Sequence, residues 1–73
     1  MEEKLFLELM QEELPDSILS LDTIFRKLDD WDSLTGMSII VILEEKCRIK
    51  ISNDNFKEFK TFNDILNFIN LNS

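Results

Sequence analysis

A chain of 73 residues has room for one domain, and folding at that size buries only about 60% of the surface the unfolded form exposes. Its 44% apolar content, with six Phe and one Trp, suffices for a core and excludes a disordered tail, while one Gly and one Pro argue against an all-β fold. Fifteen acids against eight bases give a net charge of −7, which opposes binding to nucleic acid or anionic lipid and favours basic protein partners.

The opening Met1-Glu2-Glu3-Lys4 lacks a signal-peptide pattern, so a cytoplasmic location is expected. From Glu2 to about Glu13, Leu5, Phe6, Leu9 and Met10 recur at helical spacing, with Glu2 and Glu3 at the positive end of the helix dipole. Pro15 disfavours helical backbone at Leu14 and ends this helix. Residues 15–31 mix polar punctuation with isolated Ile18, Leu21, Ile24, Phe25, Leu28 and Trp31. They predict a long connection pinned to the core by those side chains, with room for a helical turn. Charge is uneven along the chain, since residues 1–32 hold ten acids and three bases and residues 33–73 hold five of each.

Asp32 to Cys47 poses a conflict, because Ile39-Ile40-Val41-Ile42-Leu43 has the β-branched character of a strand. Context favours a helix. Asp32 or Ser33 can cap it, Glu44, Glu45 and Lys46 are good helix formers, and Gly36, Ile39, Ile40, Leu43 and Cys47 share one face. Leu34, Met37 and Val41 make a second apolar face, which predicts burial among several neighbours or the border of a cavity. The five-residue apolar run is far short of the ~20 residues that span a bilayer, so no stable membrane insertion is expected. Cys47, the single cysteine in a chain without His, can form neither an intrachain disulfide nor an ordinary zinc site, and reads as a small apolar residue at a helix end.

Ile49 and Ile51 then alternate around Lys50, and Ser52 or Asn53 caps a short helix through Phe56 and Phe59. Thr61 with Asp64 three residues on approximates a capping box for a last helix, whose inward stripe is Phe62, Ile65, Leu66, Phe68 and Ile69. The fold class predicted for residues 1–73 is a single all-α domain, a small bundle of three main helices plus one short helix.

Asp32-Ser33-Leu34 opens the most apolar helix after the long loop. As a tripeptide it is ordinary capping chemistry. In this setting the sequence resembles the acyl carrier proteins, whose Asp-Ser-Leu serine receives 4′-phosphopantetheine from coenzyme A. The likeness extends to Phe25 eight residues before the serine, Leu43-Glu44-Glu45 closing the helix, Ile49-x-Ile51 after it, and Thr61-x-x-Asp64-x-x-x-x-Ile69. The Trp31-Asp32-Ser33-Leu34-Thr35 form is similar to stand-alone carriers of specialised pathways. Ser38 stands where the family often has a docking Glu, Cys47 where Phe is common, and Arg48 where a Gly often ends the helix in a left-handed conformation.

The resemblance implies a carrier, not an enzyme, that tethers acyl intermediates as thioesters on a phosphopantetheine arm at Ser33, in fatty acid, polyketide or related biosynthesis. Asp32 and Leu34 flank the attachment point. Trp31 and Met37 are candidate partner contacts, and Asp29, Asp30, Glu44 and Glu45 are candidates for ion pairs with basic patches on partner enzymes; core packing and plain solvation are the competing readings. The implied partners are a phosphopantetheinyl transferase and acyl-loading, condensing or acyltransferase enzymes, met transiently by a monomer.

Two rivals stand beside this reading: an aminoacyl or peptidyl carrier, and an unmodified helical interaction domain in which Ser33 only caps a helix. A hydrolase built on Ser33 and Asp32 fails for want of a base, since the chain has no His.

Overall fold

Helix α1 (Glu3–Glu13) lays Phe6 and Met10 into the core, and the stripe continues into Leu14, giving three fully buried residues at four-residue intervals. Leu5, expected on that face, lies a third of a turn away and is exposed, and Leu9 is half-buried. Pro15 stops the helix as expected, and Gln11 satisfies the chain end that results. Its amide donates to the carbonyls of Leu14 and Ser17, both at 2.7 Å. The structure, a computed structural model, describes residues 1–72.

The connection that follows is irregular except for a 3-10 turn over Phe25–Lys27. Phe25 is fully buried, and Leu21, Leu28 and Trp31 are half-buried. Ile18 and Ile24 are not the pins they were expected to be. Ile18 is 97% exposed, and at Ile24 the backbone makes the attachment, in an isolated antiparallel bridge with Thr61. The Asn63 N–H donates to Leu21 O at 2.9 Å beside that bridge. At Ile24 the loop is therefore held by main-chain bonds although the side chain faces water.

Helix α2 (Ser33–Cys47) buries Gly36, Ile39 and Leu43. Tertiary burial overrides the strand preference of Ile39 to Leu43, because a helix can present this segment to α1 and the loop on one face. The Leu34, Met37 and Val41 face is neither buried nor part of an enclosed cavity; it is open to solvent. Arg48 ends the helix in the left-handed region at φ 55 and ψ 42. Glu44 then fastens the next segment by accepting the Ile51 N–H at 2.9 Å.

Helix α3 (Asn53–Glu58) starts from a reciprocal Ser52–Asn55 capping box, and α4 (Phe62–Leu71) from the expected Thr61–Asp64 box. The Asp64 carboxylate accepts the N–H groups of Lys60 and Thr61 at 2.8 and 3.1 Å. Those donors, the Lys60 amide foremost, hold its pKa below the ordinary 3.8.

All seven aromatic rings join in one network. Phe6 meets Phe62, Phe62 meets Phe25, Phe25 meets Trp31 and Phe56, and Phe56 leads through Phe59 to Phe68. Each such contact contributes about 0.5–1.5 kcal/mol beyond area burial. The network runs from α1 through the loop to α3 and α4, so the irregular segment belongs to the core. Among the described residues no helix is long and apolar enough to cross a membrane, and no cluster of His, Cys, Asp and Glu could hold a metal ion.

Candidate functional site

Asp32 adopts extended backbone and caps α2, its Oδ1 accepting the Thr35 N–H at 2.8 Å and the Thr35 hydroxyl at 3.0 Å. The Thr35 amide, then its hydroxyl, lowers the Asp32 pKa below 3.8. Capping is thus complete without Ser33. That residue is the first of the helix and exposed, and its hydroxyl has no hydrogen-bond partner among the described residues.

The loop just before Ser33 is packed against the core. Trp31 is half-buried, with its ring 4.7 Å from Phe25 and stacked at 8° on Phe56 at 6.3 Å. Its ring packs closely on α2 where residue 36 is Gly: a Cβ there would come within 3.2 Å of Trp31 Cζ2. Trp31 therefore acts first as the anchor of the loop that presents Asp32 and Ser33.

Arg26 locks the far wall. Its guanidinium donates to the carbonyls of Phe59 and Phe56, the latter at 2.7 Å, and sits 4.8 Å from the Phe25 ring centre and 5.3 Å from that of Phe56. It caps the negative end of α3 from the loop, a role that one basic residue in an acidic stretch did not announce. Between these walls an open groove of about 360 Å³ runs along Ser33, lined also by Met37, Ile40, Phe56 and Lys57.

On the other side of Ser33, α2 exposes Leu34 (72%), Met37 (62%) and Val41 (52%) as an apolar stripe. The four acids expected to meet partners divide. Asp29 and Glu45 are exposed, whereas Asp30 turns inward to accept the Ser17 hydroxyl at 2.5 Å and Glu44 is engaged by Ile51. Cys47 is half-buried and burial pushes its thiol pKa up, which suits an inert packing residue.

Comparison with protein families matches residues 4–69 to the phosphopantetheine attachment site family. The chain belongs to that family. It is a carrier domain and not an enzyme, and its cofactor is covalent 4′-phosphopantetheine. Comparison with curated proteins and with solved structures gave no match. The residues of this carrier suit the group it takes: a serine hydroxyl with no structural duty, at the positive end of a fifteen-residue helix, beside a groove open to a tethered chain.

Proposed function

We propose that Ser33 is the attachment residue and that the protein tethers acyl intermediates as thioesters, handing them to partner enzymes of fatty acid, polyketide or related specialised biosynthesis. The observation that carries this reading is the division of labour between neighbours. Asp32 does the capping that would otherwise explain Ser33, and the Ser33 hydroxyl is left exposed and without a partner among the described residues.

With no His in the chain, the base that takes the Ser33 proton comes from the phosphopantetheinyl transferase. Ser33 Oγ then forms the bond to phosphorus, the pyrophosphate bond of coenzyme A breaks, and 3′,5′-adenosine diphosphate leaves. The bound arm supplies a terminal thiol on which an acyl group rides as a thioester. Asp32 contributes by fixing the helix start, and the dipole of α2 favours the phosphodiester charge.

Any enzyme that receives Ser33 covers the first turns of α2, so Leu34 and Met37 lie within its footprint. Asp29 and Glu45 are the expected acids that remain free to meet basic groups on such an enzyme. The test is intact mass after incubation with coenzyme A and a broad-specificity transferase. Gain of one arm in the wild type and none in Ser33→Ala supports the assignment. No gain beside an active control carrier favours the unmodified interaction domain.

A further inference from the structure

Rings from the loop, α3 and α4 pack together in the core. Phe25 is fully buried, with centroids of Trp31, Phe62 and Phe56 at 4.7, 5.4 and 5.7 Å. Rings at such spacings touch and leave no slot between them for an alkyl chain. Protein interiors have crystal-like density, so an inserted chain would have to displace a ring. Helix α3, which borders these rings, has its first turn held by the Ser52–Asn55 box and its last by Arg26, which also binds the loop to it.

Of the open grooves on the surface, one is lined by Ser33 itself. Trp31 and Phe56 give it an apolar floor and Lys57 a charged edge, and it opens to solvent. We propose that this carrier takes short acyl cargo, which lies in that groove outside the bundle, and that long alkyl chains find no interior site. The inference rests on attachment at Ser33.

The experiment loads acetyl, butyryl and octanoyl arms from the matching acyl-coenzyme A with a broad-specificity transferase, verifies each by intact mass, and records Tm. The wild-type midpoints are expected to agree within about 2 °C, whereas burial of six further methylenes would raise the octanoyl form by about 10 °C or more. In Phe25→Leu, which opens space at the centre of the network, the octanoyl form is expected to melt above the acetyl form. A wild-type Tm that climbs with chain length overturns the inference while leaving attachment intact. A Phe25→Leu variant with no chain-length dependence removes the ring network as its cause. Absence of mass gain overturns attachment at Ser33, and the cargo inference with it.

Discussion

Asp32 Oδ1 holds both the N–H and the hydroxyl of Thr35, at 2.8 and 3.0 Å, so the start of α2 is secured by the residue before the serine. Stability and modification therefore separate between two adjacent positions. Ser33→Ala is expected to change unfolding free energy by no more than about 0.5 kcal/mol while abolishing arm attachment. Asp32→Ala is expected to lower the urea midpoint measurably below that of Ser33→Ala. Equal losses in the two variants would mean that the serine shares the cap.

Arg26 joins the loop to the end of α3 through two carbonyls and two aromatic faces. Because the side chain is partly in water, Arg26→Met is expected to cost about 1–2 kcal/mol in urea denaturation. Lys at this position should recover less than half, since a point ammonium cannot span both carbonyls. Full recovery in Arg26→Lys would reduce the role of Arg26 to charge alone.

The Asp64 carboxyl is held below its ordinary pKa of 3.8 by the amides of Lys60 and Thr61. The folded chain thus binds that proton more weakly than the unfolded chain does. Its contribution is complete above the ordinary value and is lost as pH falls through the lower folded-state value. Thermal midpoints of the wild type should hold from pH 7 to about pH 5 and fall below about pH 4. Asp64→Asn should fall less steeply in that acid range; parallel curves would remove Asp64 as a source of acid sensitivity.

Arg48 occupies left-handed backbone, which crowds any side chain with a Cβ. Arg48→Gly is expected to gain about 0.5–1 kcal/mol after the added freedom of the unfolded chain is counted, raising Tm by a few degrees. Arg48→Val should lose stability, because a branched Cβ fits this region worst. A lower Tm in the Gly variant would show that the Arg48 side chain contributes more than its backbone costs.

Much of the helical plan was legible locally. Pro15 marked the end of α1, Thr61 and Asp64 the start of α4, and the Gly36, Ile39 and Leu43 spacing the buried face of α2. The loop was harder to read, because its side chains follow no period. Ile18 looked like an anchor and stands in solvent, while Arg26, which no local pattern singled out, caps a helix. Likewise nothing in the residue types distinguished Glu44 and Asp30, taken up by bonds within the fold, from Glu45 and Asp29, which remain free.

By itself the sequence determined the all-α class, the helix boundaries and the position of Ser33 at the head of α2, because apolar periodicity and capping act within a few residues. Only the tertiary structure decided that Asp32 and not Ser33 caps α2, which carboxylates face solvent, and that seven rings join in one network while a groove stays open beside Ser33. Those outcomes depend on contacts such as that of Arg26 with Phe59, 33 positions apart, which local spacing does not encode.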